Sequence, residues 1–314
     1  MLPANETVMT PLKHAILGAG GIGGLIAANL SRAGAPVTLV LRPETLANYP
    51  KEIQLDSPFG NFRGPVECAA EVPACDVLWL TVKATQLTSA LNAIHHPESV
   101  GAIVPLLNGV DHLAALRARY PATPVIGATI AVESERVAPG HFVHRSPFVR
   151  LNVSSAGKPL LGATIEQFQS FGFECRFIDD EPTLMWSKLV FLAPFALSTT
   201  ASDKNIGEML ADPTWKALGV ACIREACAVA VAEGAKIDAD AVVAFALKMH
   251  SAMRSSMQKD VEQGNAPELD AIAGPILRAA VKHGIEIPAT RKLGDAVQQR
   301  VAHSHARSSH ALSS

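Results

Sequence analysis

The run LGAGGIGG, residues 17–24, decides how this chain is read. It sets Gly18, Gly20 and Gly23 in a G-x-G-x-x-G spacing, after an apolar stretch at 14–17 and before a helical pattern over 22–33 that stops at Gly34. Each glycine has a mechanical reason: a tight turn at Gly18, close approach of a pyrophosphate to the backbone at Gly20, and helix–strand packing at Gly23. The helix that follows turns its unpaired N–H groups and positive dipole end towards the phosphates. The spacing alone is a weak signal. The strand before it, the helix after it and a second apolar run at 36–41 (PVTLVL) together predict a dinucleotide turn, with Gly18, Ala19, Gly20, Gly21, Ile22 and Gly23 around the phosphates.

Working outward, the second strand ends at Arg42, where an NAD site usually carries an acid for the ribose hydroxyls. A guanidinium can clamp a 2′-phosphate bidentately and keeps its charge, so the expected cofactor is NADPH, although Glu44 lies two residues on. Further buried-strand candidates stand at 77–82 (VLWLTV), 102–107 (AIVPLL) and 124–130 (PVIGATI), with helical segments at 87–94 and 112–118 between them. That alternation predicts an α/β Rossmann domain with a parallel sheet. Alternating residues over 142–153 add a few antiparallel edge strands. Beyond 177–178 helical periodicity takes over, at 214–233, 239–257, 268–283 and 289–301. The expected organisation is a disordered leader at 1–12, an NADP-binding Rossmann domain at 13–180, an all-α substrate and catalytic domain at 181–302, and a flexible tail at 303–314.

A formal charge of −2 over 314 residues gives no electrostatic footprint for nucleic acid or a membrane surface, so neither is an expected partner. Five cysteines without a CxxC pair fit reduced thiols in the cytoplasm, and the first dozen residues lack the pattern of a signal peptide. Residues 182–202 carry one charge, Lys188, yet Pro182, Pro194 and the Ser-Thr-Thr run at 198–200 make a poor lipid-facing helix; a buried helix is expected. His141 and His144 fall on opposite faces of a strand, and nothing orders the histidines of the tail, so no metal site is expected. The apolar faces of the helical half suffice for a homodimer or for a core of its own.

Lys188 sits among Trp186, Leu189, Val190, Phe191 and Leu192. Desolvation favours the neutral amine and brings proton transfer near neutral pH, which suits an acid that protonates a ketone oxygen as hydride arrives. A lysine snorkelling off the helix is the competing reading, and the residues alone leave both open. Asn108, in LLNGV, follows a buried strand where ligands bind in doubly wound sheets, and Lys83 ends another such strand. Glu268, after Pro267, reads by itself as an acid favouring a helix start, and Ser256 is unremarkable alone.

Together these pieces resemble the ketopantoate reductase (2-dehydropantoate 2-reductase) family over residues 13–302. The match rests on LGAGGIGG, Arg42, TVKATQ, LNGV, APGHFVH at 138–144, WSKL at 186–189, SSMQKD at 255–260, GNAPELD at 264–270 and HGIEIP at 283–288. The resemblance implies a Rossmann domain, a helical domain and an active site between them, acting on a small 2-oxo acid. It makes Lys188 the general acid and gives Ser256 the substrate carboxylate. Asn108 would contact substrate and nicotinamide ribose, Glu268 substrate and cofactor, and Lys83 and Arg42 the cofactor. This sequence departs from the family pattern KLxxNxxxN, with Leu192 and Ala196 at the asparagines; Ile206 replaces a third, beside Asn205, and Asn265 and Pro267 replace an arginine and a threonine. Three readings follow: reduction of ketopantoate to pantoate in pantothenate biosynthesis; the same chemistry on a less polar 2-oxo acid or ketone; or a cofactor-binding sensor without turnover, against which Lys188, Ser256 and Glu268 together argue.

Overall fold

The computed structural model of the chain describes residues 11–311, with side chains to residue 303. Residues 1–10 of the expected leader and 312–314 of the expected tail lie outside the described residues. The chain divides into two compact units: one takes residues up to Leu107 with Leu113–Phe177, the other Asn108–His112 with Ile178 onward. The short segment beginning at Asn108 thus belongs with the helices, an assignment that bears on the site below.

The first unit runs β1 (His14–Leu17), α1 (Gly21–Arg32), β2 (Val37–Val40), α2 (Pro43–Leu46), β3 (Glu52–Asp56), β4 (Phe62–Pro65), β5 (Glu67–Ala69) and β6 (Cys75–Leu80). It continues with α3 (Leu87–Ala90), β7 (Val100–Pro105), α4 (His112–Arg119), β8 (Ala128–Ala131), β9 (Ser134–Ala138), β10 (His141–His144), β11 (Arg150–Ser154), α5 (Lys158–Ser170) and β12 (Glu174–Ile178). The apolar runs pair side by side as a parallel sheet in the order β5-β2-β1-β6-β7, and a parallel bridge from Ile103 to Val125 extends it. Counted in order of appearance the strands lie 3-2-1-4-5, the doubly wound arrangement, so the strand order reverses beside β1. The ends of β1 and β6, which pair Leu17 with Leu80, flank that switch point.

The antiparallel strands gather in two smaller sheets, β4-β3-β10-β9 and β12-β11-β8. The alternating stretch at 142–153 is therefore split between both. The sequence reading leaves 52–69 unassigned because β3, β4 and β5 are short and half-exposed, with charged residues breaking their alternation. It also leaves α5 unassigned, although Leu161, Ile165 and Phe168 form a buried helical stripe there. The helix expected at 87–94 breaks into α3 and short 3-10 turns.

The second unit is helical: α6 (Glu181–Ser202), α7 (Ile206–Ala211), α8 (Pro213–Ala232), α9 (Ala239–Ala246), α10 (Ser256–Glu262), α11 (Leu269–His283) and α12 (Pro288–Ala311). Asp180 caps α6 by accepting from the Thr183 N–H, and Asp203 in the left-handed region (φ 59°) ends it. Among the described residues α6 alone has the length and apolarity to cross a membrane, yet 67% of its most apolar window is buried inside the protein. Leu189, Val190, Ala193 and Leu197 pack there with Cys222 and Ile276. The single helix expected at 239–257 is two. The Ser251 and Met253 carbonyls accept from the Gly207 and Ile206 N–H groups, which draws the backbone out of helix before Ser255 caps α10. At the other end α12 stays helical to Ala311, past the start at 303 of the expected flexible tail.

Candidate active site

The glycine turn is built as a phosphate cradle. Gly18 has φ +111°, a conformation side chains rarely adopt, and its carbonyl accepts from Thr81 Oγ1 at 2.7 Å. A Cβ on Gly23 would lie 2.0 Å from that same carbonyl, so α1 can approach the turn only through a glycine. At Gly20 a Cβ would meet no protein atom within 4 Å. Gly20 is the N-cap of α1, where no side chain caps the helix and no acid occupies the first turn. Open space against uncapped N–H groups is what a pyrophosphate needs. A dinucleotide fits these residues.

Arg42 lies just beyond β2 as the N-cap of α2 and is exposed, while its carbonyl accepts from the Thr45 and Leu46 N–H groups. The backbone is thereby fixed while the guanidinium stays available. Lys83, three residues beyond β6, is also exposed and opens a 3-10 turn.

In the helical unit three of the predicted residues meet. Lys188 Nζ donates to Asn108 Oδ1 at 2.9 Å, and Asn108 Nδ2 donates to Glu268 Oε2 at 3.0 Å. The amide thus joins the ammonium to the carboxylate. Its position is set by Gly109 (φ +85°), whose missing Cβ would stand 2.2 Å from the Ala271 carbonyl in the first turn of α11. Arg278 of α11 holds the same segment by donating to Asp111 at 2.6 and 3.0 Å. Glu268 is the N-cap of α11, 8% exposed, and makes no side-chain cap; its carboxylate serves Asn108 instead. Burial lowers the Lys188 pKa to about 8, partly opposed by the Glu268 charge.

Sequence reading missed His112, the last residue of this segment. It is 7% exposed, its Nε2 has no partner among the described residues, and burial, then the Lys188 charge, lowers its pKa to about 4. The only available signal was its place four residues after Asn108. His14, buried in β1 and accepting from Trp79 Nε1, is lowered to about 4 as well, chiefly by burial. Between pH 6.5 and 4 the unfolded chain binds protons that these native imidazoles refuse, so stability falls as pH drops through that window, by up to about 3 kcal/mol for each. Thermal melts should therefore shift down between pH 6.5 and 4.5, and His112→Gln should flatten the slope; a variant with the parent slope removes His112 as a cause.

The remaining predicted residues lie apart from the trio. Ser256 opens α10 and is exposed, whereas its neighbour Ser255 is buried, caps the helix at the Gln258 N–H and accepts from Thr199 Oγ1 at 2.8 Å. Leu192 is partly buried and Ala196 is 1% exposed, both within the helical core. Asn205 is consumed by a capping box with Glu208, and Ile206 is buried. Asn265 is exposed and donates to Gln263. In the first unit His141 pairs with Asp56 and His144 with Ser57, consistent with opposite faces of β10.

Two family models match the chain: "Ketopantoate reductase PanE/ApbA" over residues 14–157 and "Ketopantoate reductase PanE/ApbA C terminal" over 182–301. The chain belongs to the ketopantoate reductase family. Its sequence is 28% identical to an uncharacterised oxidoreductase, YkpB, of Bacillus subtilis over 88% of this chain and 95% of that one. It is 26% identical to the 2-dehydropantoate 2-reductase of Nostoc, over 89% and 92% of the two chains. The crystal structure of a PanE/ApbA family ketopantoate reductase from Ralstonia eutropha superposes with a TM-score of 0.82 at 24% identity, covering 93% of this chain and 99% of the other. With the ketopantoate reductase family come an NAD(P)H-binding Rossmann fold and oxidoreductase chemistry of the 2-hydroxy-acid type.

Proposed function

We propose that the protein reduces 2-dehydropantoate to pantoate with NADPH, as in pantothenate biosynthesis, with Lys188 as proton donor. The observation that carries this reading is the chain of hydrogen bonds from Lys188 through Asn108 to Glu268. NADPH supplies the hydride. Lys188 Nζ gives a proton to the carbonyl oxygen, so that one hydride on carbon and one proton on oxygen make the alcohol. Asn108 Oδ1 aims the ammonium, and Glu268 favours its charged form. Ser256 receives the substrate carboxylate, and Arg42 and Lys83 serve the cofactor phosphates.

A second reading keeps this chemistry on a less polar 2-oxo acid or ketone. It is favoured by the face of α6 beyond Lys188, which presents Leu192 and Ala196 at the next two turns, and by Thr199, whose hydroxyl is already engaged with Ser255 and the Phe195 carbonyl. A site without polar partners cannot hold substrate hydroxyls. NADPH oxidation measured across ketopantoate and apolar 2-oxo acids decides. A kcat/KM with ketopantoate of about 10⁴ M⁻¹s⁻¹ or more retires the second reading. No oxidation with any ketone retires both and leaves a cofactor-binding sensor.

Two further results are expected. Arg42→Ala should narrow the preference for NADPH over NADH by about tenfold or more, the worth of a charge-assisted phosphate contact; an unaltered preference assigns the 2′-phosphate to another residue. The donor must be an ammonium, so reduction should be flat below pH 7 and fall about tenfold per unit above the Lys188 pKa of about 8. A profile still flat at pH 9.5 removes Lys188 as the acid.

A further inference from the structure

The helical unit contains a cavity that the lysine site does not use. It lies between α6, α7, α8 and α9 and encloses about 360 Å³ of empty space, part of it open to solvent. None of Lys188, Asn108, Glu268 or Ser256 lines it. Its walls include Phe191, Pro194 and Phe195 on α6, Ile206 and Met209 on α7, and Ile223 on α8.

Two independent features point to an occupant. Ser198 lines the cavity, is 1% exposed, and its Oγ has no hydrogen-bond partner among the described residues. Its neighbours Thr199 and Ser202 both donate to backbone carbonyls one turn back, as helix hydroxyls commonly do. A buried hydroxyl left unpaired beside empty space is costly unless something reaches it. The second feature is Gly219, in the middle of α8. A Cβ there would stand 3.3 Å from Ser198 Oγ and 3.7 Å from Met209 Cε, so the glycine keeps open the space next to the hydroxyl. Glycine is a poor choice for a helix interior, and nothing in the backbone at Gly219 demands it.

The chemistry of the lining defines the ligand. Phe191 and Phe195 stack at 5.7 Å, 13° from parallel, making a flat aromatic wall. Lys216 and Leu247 line the cavity and are exposed, which puts them on its solvent side, and Lys216 has no ion pair among the described residues. We propose that this cavity, bounded by Ser198, Gly219 and Lys216, binds a small aromatic carboxylate with a distal hydroxyl or carbonyl. The distal oxygen meets Ser198 Oγ, the ring lies against Phe191 and Phe195, and the carboxylate faces the Lys216 ammonium. The site is separate from the reductase reading and stands or falls without it.

The test is calorimetric titration of the full chain with 4-hydroxyphenylacetate, phenylacetate and 4-cresol, alongside thermal melts of each variant. The wild type should bind 4-hydroxyphenylacetate about tenfold more tightly than phenylacetate, the range of one buried hydrogen bond. Ser198→Ala, which removes only an oxygen, should erase that discrimination and retain phenylacetate binding. Lys216→Gln should erase the preference over uncharged 4-cresol, and Gly219→Leu should abolish binding of all three. Lys188→Ala should bind 4-hydroxyphenylacetate as the parent does. No saturation by the millimolar range, discrimination that survives Ser198→Ala, or binding lost in Lys188→Ala would overturn the proposal; the last outcome would assign the ligand to the reductase site.

Discussion

Lys188→Ala should lower kcat for reduction of the best 2-oxo acid by about 10²- to 10⁴-fold, the usual worth of a positioned general acid. The size of the effect follows from what surrounds the amine. Lys188 lies in the second turn of α6, flanked by the buried Trp186 and Leu189, and it has one fixed acceptor, Asn108 Oδ1. Water is therefore a poor substitute for the ammonium. Lys188→Arg should be nearly as damaging despite its charge, because a guanidinium does not give up its proton. Asn108→Ala should cost less in kcat while moving the alkaline limb of the pH profile, since it releases the amine from its acceptor and from Glu268. NADPH affinity, read by fluorescence titration, should stay within twofold in Lys188→Ala if the lysine acts on the carbonyl. A variant that keeps parent kcat, or that fails only through lost cofactor binding, removes the acid role.

Most of what positions the nucleotide was legible because it depends on local order. LGAGGIGG follows one buried strand and precedes another within a single βαβ unit, and a parallel register of His14 with Val37 then needs no distant information. The long, strongly patterned helices α6, α8 and α11 were legible for the same reason. What was hidden depends on partners far along the chain. Strands β3 and β10 are parallel neighbours, pairing Gln54 with His141, and nothing local in EIQLD announces that partner. The break between α9 and α10 is made by backbone bonds from Ile206 and Gly207, some forty residues earlier. In the site, Lys188 and Asn108 could be singled out by residue type and context. The bond that joins them to Glu268 spans 160 residues and is a property of the fold alone. His112 stayed invisible because a histidine after an Asn-Gly turn reads as a solvated loop, and only its burial beside a lysine gives it meaning.

The glycine turn offers a contrast in which two neighbouring substitutions should fail in opposite ways. Gly20→Ala adds a methyl where no protein atom stands within 4 Å, at a backbone (φ −85°, ψ −169°) that alanine adopts without strain. Its stability should match the parent within about 0.5 kcal/mol, or rise slightly through the less flexible unfolded chain. The methyl then occupies the space assigned to the pyrophosphate, and NADPH affinity should weaken by about 10- to 100-fold, the loss of one to two charge-assisted backbone contacts. Gly23→Ala is the reverse. Its methyl would lie 2.0 Å from the Gly18 carbonyl and 2.5 Å from Thr81 Oγ1, so either α1 moves off β1 or the turn at Gly18 opens. Leu25, Ile26 and Leu30 of α1, all fully buried, resist the first; the Thr81 hydrogen bond to Gly18 resists the second. A destabilisation of about 3 kcal/mol or more is expected, in the range of overpacked cores. Urea melts and NADPH titrations on both variants separate the two glycines. Gly20→Ala with parent affinity would show that the phosphates lie elsewhere, and Gly23→Ala with a parent midpoint would show that the contact between α1 and the turn is slack. The distinction matters because G-x-G-x-x-G is usually read as one signature, whereas here one glycine keeps space for a ligand and another brings a helix against a strand.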